Sequence, residues 1–274
     1  MTAGNRDFST FFGVDLGGGK GKNTAVARLE RDGSGVRVDF VGVRNPDGAP
    51  FYDPILIETL RGALRPQGAS VLVAMDAPLS PSVCLRCRRE GCDGLDICLD
   101  PTVRWFRERG NELVAGGRRV GKPPTTAYTQ RACEVVLHRK HGILPRETLG
   151  QGMGPLTARA HYLRRALGSV FELNRNLIEV YPKATIYALF GQQVARRYKR
   201  ETRTWQIRAS ILESLADRLW FNVWREGSLQ NDHCFDAVIA AYTGYLWAEE
   251  GWTLPEEDRE VFEVDGWIWF PPKC

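Results

Sequence analysis

The sequence predicts a mixed α/β fold: three antiparallel strands, then parallel strands, with helices flanking one central sheet. Three observations carry this. The first third reads as apolar strands joined by short glycine-rich or charged links, as in an antiparallel meander. Two later runs, "ASVLVAMDAP" and "NLIEVYP", are continuously apolar, as suits strands buried on both faces. Between and after them apolar residues recur at helical spacing, so helices must pack on the sheet.

In order, the first three strands are "FFGVDLG" from Phe11, "NTAVARLE" from Asn23 and "VRVDFVGV" from Val36. A helix is predicted over Asp53–Leu64, with Ile55, Leu56, Thr59, Leu60 and Ala63 on one side. The strand "ASVLVAMDAP" then ends at Asp76 before Pro78. Residues 80–155 are irregular, with one helix over Thr129–His141, and read as an insertion within a single domain spanning 1–274. A helix over Thr157–Leu167 leads to "NLIEVYP". Two amphipathic helices follow. Ile207, Ile211, Leu212, Leu215 and Leu219 define the first; Phe235, Val238, Ile239, Tyr242 and Leu246 define the second. The tail "EVFEVDGWIWF" reads as an edge strand or a Trp-rich cap.

Composition narrows the function classes. With 274 residues, 43% hydrophobic and 26% charged, the chain can bury an ordinary globular core. No apolar run approaches the roughly 20 residues that span a bilayer. The opening "MTAGNRDFST" lacks the apolar core of a signal peptide, so the expected location is cytoplasmic, with no membrane partner. A net charge of +4 is compatible with a nucleic-acid partner.

Three carboxylates interrupt apolar strands: Asp15 in "GVDLG", Asp76 in "VAMDAP" and Glu179 in "LIEVYP". A carboxylate inside a strand core costs several kcal/mol, on the order given by ion desolvation, unless it is paired or holds a metal. "NDHCFDA" adds Asp232, His233 and Asp236 at the start of a late helix, where Asp232 and Asp236, or His233 and Asp236, share a face. Ala237, Ala240 and Ala241 let that helix approach the sheet closely and aim Asp236 at the strand carboxylates. Each residue alone has a structural reading: Asp15 begins a turn, Asp76 ends a strand, Glu179 pairs with an arginine, and Asn231 or Asp232 caps the helix. Together they point to a site for a hard divalent cation, Mg²⁺ or Mn²⁺.

"GVDLGGGKGKNTAVA", "VAMDAP", "IEVYP" and "NDHCFDAVIAA" resemble the motifs of an uncharacterised predicted-nuclease family, a domain of unknown function in the RNase H-like superfamily. The resemblance runs from Phe11 to about Ala248. The last motif also resembles that of RuvC-type junction resolvases, whose closing helix carries an acidic residue or His three before an Asp. The resemblance implies an RNase H-like mixed sheet with a Cys-rich insertion. It also implies a metal site drawn from Asp15, Glu179 or Asp76, His233 and Asp236.

Four of the seven cysteines, Cys84, Cys87, Cys92 and Cys98, fall in fifteen residues with spacing C-x2-C-x4-C-x5-C. Four thiolates can close a tetrahedral Zn²⁺ site or hold an iron–sulfur cluster. Otherwise this is a reduced loop with incidental cysteines, or one that forms a disulfide on exposure to air. Cys133, Cys234 and Cys274 read as bystanders. "ARRYKRETRTWQIR" mixes Arg196, Arg197, Lys199, Arg200, Arg203 and Arg208 with Tyr198 and Trp205, and "GGRRVGKPP" holds Arg118, Arg119 and Lys122. Such mixtures suit a phosphate backbone and stacked bases, but equally a solvated surface. Arg131 and Glu134 read as a salt bridge on one helical face.

The expected function is a metal-dependent nuclease acting on DNA or RNA, with Asp15, Asp76, Glu179 and Asp236 around one or two Mg²⁺ or Mn²⁺ ions and His233 or Asp232 completing the site. A sugar-kinase or actin-like phosphotransferase would use Asp15 and Gly17 to Gly19 on metal and phosphate, but no second Gly-rich phosphate loop follows Glu179. A non-catalytic nucleic-acid-binding module would leave the strand carboxylates unexplained.

Overall fold

A computed structural model of the chain describes residues 6–18, 23–65, 70–110, 126–145, 147–150, 152–200 and 202–272. Six strands form one mixed sheet: β1 Thr10–Asp15, β2 Ala25–Asp32, β3 Gly35–Gly42, β4 Val71–Asp76, β5 Leu177–Glu179 and β6 Leu219–Phe221. Their order across the sheet is β5-β4-β1-β2-β3-β6. β1, β2 and β3 make the antiparallel meander, with Asp15 opposite Ala25. β4 runs parallel to β1, and β5 parallel to β4. The three antiparallel strands followed by parallel ones match expectation; β6, parallel to β3 at the far edge, was not expected.

The helices are α1 Asp53–Gly62, α2 Val83–Arg86, α3 Pro101–Trp105 continuing as a π turn over Phe106–Gly110, α4 Ala132–His141, α5 Gly154–Leu167, α6 Pro182–Arg197, α7 Thr204–Ser214, α8 Glu226–Gln230, α9 Asp232–Glu249 and α10 Arg259–Asp265. The predicted helix through Leu219 stops at Ser214, because Leu219 is taken by β6. The tail differs too. "REVFEVD" is helical, and only Trp269 reaches a strand edge, bridging Val180 and stacking its ring 5.6 Å from Trp247.

The chain divides into two compact units, one from residues 1–77, 162–253 and 269–274, the other from 78–161 and 254–268. The predicted insertion thus falls in a unit that also recruits the segment before Trp269. That second unit packs Trp105 and Trp267 against Phe262 and holds a buried charge network. Arg131 caps α4 and its Nε donates to Glu134 Oε1 at 2.9 Å, with both residues buried. Asp265, fully buried, accepts from Ala132 N and Arg86 Nη1, each at 2.6 Å. The Arg131–Glu134 pair is the expected salt bridge; burial raises the Glu134 carboxyl, while Arg131 and Thr148 pull against it.

In the first unit, β1 is buried along its whole length and α9 is buried on all sides from Cys234 to Ala248. A helix apolar all round is a core helix rather than an amphipathic surface one. Gly13 explains the contact. A Cβ there would lie 1.9 Å from Ala237 O and 2.4 Å from Ala241 N, so only glycine lets the α9 backbone sit against β1.

Candidate metal centre

The sheet register places Asp15 directly beside Asp76, at the C-terminal ends of the parallel pair β1 and β4. Paired residues in a ladder share a face, so the two carboxylates leave the sheet together. α9 supplies the third. Asn231, not Asp232, is its N-cap: the Asn231 side chain accepts from His233 N at 3.0 Å and Cys234 N at 3.3 Å. One turn on, Asp236 lies beside Ala237, where the helix touches Gly13. The outcome is one oxygen each from Asp15, Asp76 and Asp236 within 4.8 Å of one another.

This cluster carries more negative charge than its surroundings neutralise. Burial first, then Asp15 and Asp236, raises the Asp76 carboxyl well above the ordinary range. Asp236 is 1% exposed, and burial pushes it up to about 7 against the pull of Lys199. The Lys199 ammonium pairs with Asp236 Oδ2. Burial works against that ammonium, yet Asp236, with Asp76 and Asp15 farther off, holds it above its ordinary range. Asp236 Oδ1 remains buried with no hydrogen-bond partner. Beside it the buried Tyr198 hydroxyl is raised well above its usual value, chiefly by burial and then by Asp236 and Asp76.

Other expected site residues take distinct positions. His233 Nδ1 donates to Asp15 Oδ2 at 2.6 Å. That bond is the main cause raising the imidazole, opposed by burial. Asp232 stands in the first turn of α9, outside the three-carboxylate cluster. Glu179 is also outside it. Its register partner is Met75, not Asp76, and strand alternation turns it from the face that carries Asp76. Glu179 is buried and lies within electrostatic reach of the Arg164 guanidinium, the neighbour a structural carboxylate would have. Cys234, a supposed bystander, is buried near Asp15 and its thiol is pushed up to about 11, chiefly by burial.

Lys199 and Tyr198 are neighbours of the clustered carboxylates that the sequence did not assign to the site. Both sat in the basic segment, read as solvated or facing nucleic acid. The buried Arg208 of that segment is structural: it donates from Nε to Tyr198 O at 3.1 Å and from Nη1 to Leu229 O at 2.9 Å. It thereby fixes the turn that carries Lys199. Lys183, lowered chiefly by burial and then by Arg200, Arg196 and Lys199, stands among cations. Arg196, Arg200, Arg203 and Trp205 are exposed. The basic residues Arg118, Arg119 and Lys122 lie outside the described residues, as do Gly19, Lys20, Lys22 and Cys274. Gly17 N–H donates to Thr24 Oγ1 at 3.1 Å, at the start of the connection between the antiparallel β1 and β2.

Residues 13–260 match the model of a family described as "Protein of unknown function (DUF429)". The chain belongs to this family. The match takes in the end of β1, all of β4 and all of α9, and so all three clustered aspartates of this DUF429 protein. No curated protein and no solved structure matches it. Chemically, three clustered carboxylates, one of them carrying the buried and unsatisfied Asp236 Oδ1, form an all-oxygen donor set, which suits Mg²⁺ or Mn²⁺ rather than a soft metal.

Proposed function

We propose that this DUF429 protein is a divalent-metal-dependent phosphodiesterase acting on DNA or RNA. The observation that carries the reading is Asp236 Oδ1: a buried carboxylate oxygen without a hydrogen-bond partner, on a residue clustered with Asp15 and Asp76. An orphaned buried acceptor is costly, and a bound cation removes the cost. The strand order β3-β2-β1-β4-β5 with a closing acidic helix supports the RNase H-like reading.

Asp15, Asp76 and Asp236 would hold the ion. A divalent cation bound there supplies Lewis-acid polarisation of a phosphoryl oxygen and eases deprotonation of an attacking water. The chain's own residues do the rest. His233, held by Asp15, fixes the rotamer of that carboxylate. Lys199 neutralises Asp236 before the cation arrives, and its side chain, 38% exposed, reaches a phosphate without leaving the cluster. The exposed Arg196, Arg200 and Trp205 extend the cationic and aromatic surface along which a single strand would lie.

The test uses labelled single- and double-stranded DNA and RNA, with Mg²⁺ or Mn²⁺ and in chelator, for wild type and Asp15→Asn. Cleavage confined to wild type with metal is expected. Cleavage that persists in chelator or in the variant overturns the metal-site reading. Transfer of phosphate from ATP to a small acceptor, without cleavage, establishes the phosphotransferase instead.

A further inference from the structure

The loop between α2 and α3 has nothing of its own to hold it. From Cys87 to Asp100 no residue is buried, and Leu85, Ile97 and Leu99 are 56, 63 and 72% exposed. A segment that buries no apolar surface cannot offset the entropy of its own ordering. Yet both ends are firmly clamped. Arg86 donates to Asp265 Oδ1 at 2.6 Å and to Thr102 Oγ1 at 3.1 Å. Asp100 caps α3 through Thr102 N at 2.8 Å. Arg107 Nη1 reaches back to the carbonyls of Leu95 at 2.8 Å and Cys98 at 3.1 Å, folding the loop over its own base.

Inside this closed excursion are four thiols and no disulfide. Cys84 is on α2, and Cys87 is the residue that ends it. The other three thiols surround Cys84 electrostatically: after burial, Cys92, Cys98 and Cys87 each raise it. Cys84 and Cys98 are half-buried, while Cys87 and Cys92 are exposed. The sulfurs are neighbours without having closed to ligand spacing, since among the described residues the aspartates are the only group of three or more with ligand atoms all within 4.8 Å of one another. Closure asks only for movement of a loop that no core contact opposes.

We propose that Cys84, Cys87, Cys92 and Cys98 bind one Zn²⁺ through four thiolates, and that this ion is the missing core of the α2–α3 loop. The donors are soft where the aspartate centre is hard, so the two sites select different metals. The Cys84–Cys87 pair has the two-residue spacing of a zinc knuckle at a helix end. With four ligands from the chain, no coordination position stays open, which makes the site structural. Binding displaces the thiol protons to solvent and orders the loop in one step.

The experiment purifies the full chain under reducing conditions without added metal and measures zinc and iron by elemental analysis. Free thiols are then counted by alkylation of the native protein, before and after a strong chelator. Expected are one zinc per chain, four thiols that become alkylated only after chelation, and loss of the zinc in a Cys84→Ser, Cys87→Ser variant. Replacement by Co²⁺ should give the absorption of tetrahedral thiolate coordination. Wild type that holds no zinc, takes up none from added Zn²⁺ and alkylates all four thiols at once with Zn²⁺ present overturns the proposal, as does stoichiometric iron with sulfide. These readouts use no nuclease assay, so their failure is separate from failure of the proposed activity.

Discussion

His233 Nδ1 and Asp15 Oδ2 are 2.6 Å apart, joining the first turn of α9 to the end of β1. The bond fixes the orientation of the Asp15 carboxylate, one oxygen of which lies within 4.8 Å of oxygens of Asp76 and Asp236. His233→Gln should therefore lower Mn²⁺ affinity by about 10–100-fold, the range seen when a hydrogen-bonding partner of a metal ligand is removed. Calorimetric titration reads this directly. Unchanged affinity would show that His233 has no part in holding the ligand.

Stability of the metal-free protein should fall as pH rises. Asp76 and Asp236 have folded-state pKa values raised above the ordinary 3.8, Asp236 to about 7. Each binds its proton more tightly folded than unfolded. Their contribution is complete below the ordinary value and is lost as pH climbs through the folded one. The raised His233 acts in the same direction. In chelator, Tm should drop between pH 5 and 8. Asp76→Asn should be more stable than wild type at pH 8 and nearly equal to it at pH 4.5. Mn²⁺ should raise the wild-type Tm more at pH 8 than at pH 5, because the ion needs deprotonated carboxylates.

Lys199→Met removes the internal counter-ion of Asp236. The cost should be about 1–2 kcal/mol in chelator, below the loss from a fully buried pair because the Lys199 side chain is 38% exposed. Added Mg²⁺ or Mn²⁺ should restore most of the lost Tm, since a cation replaces a cation. Urea denaturation with and without metal measures both terms. Equal loss in both conditions would mean that Lys199 and the ion do not share Asp236.

Glu179→Gln separates the two carboxylate classes. Because Glu179 is level with Met75 and outside the cluster, the variant should keep metal affinity within about threefold, whereas Asp15→Asn and Asp236→Asn lose it. Metal titration of the three variants decides.

Gly13→Ala should be strongly destabilising, by about 3 kcal/mol or more, because its Cβ meets backbone rather than a movable side chain. Gly18→Ala, where a Cβ meets nothing within 4 Å, should be nearly neutral. Chemical denaturation of the two variants compares them without reference to activity.

Much of the sheet and part of the centre were legible in the sequence. Asp15 and Asp76 stand out because an ionisable group in a continuous apolar run has no cheap explanation. Asp236 stands out because it follows a cap and precedes small residues. Glu179 carries the same local signal, and only the parallel register separates it from the others. Lys199 gave no signal, since a lysine among arginines reads alike whether it faces water or a carboxylate. Leu219 kept helical spacing by coincidence: it pairs with Val36 at a sheet edge, and edge pairing is a long-range fact. The α10 helix was hidden for a similar reason, its alternating apolar residues fitting a strand as well as a helix that packs Phe262 between two tryptophans.

The absence of a side chain at Gly13 bears on which ions the aspartates admit. Two residues before Asp15, main chain rests on main chain, and Asp236 directly precedes the residue that is touched. The gap between β1 and α9 is therefore set by backbone thickness, which rotamer changes cannot widen. A cage with such rigid walls suits an ion that demands short, regular bonds near 2.0–2.1 Å and disfavours one needing 2.3–2.6 Å with more ligands. The proposed centre should therefore bind Mg²⁺ more tightly than Ca²⁺, which metal titration measures.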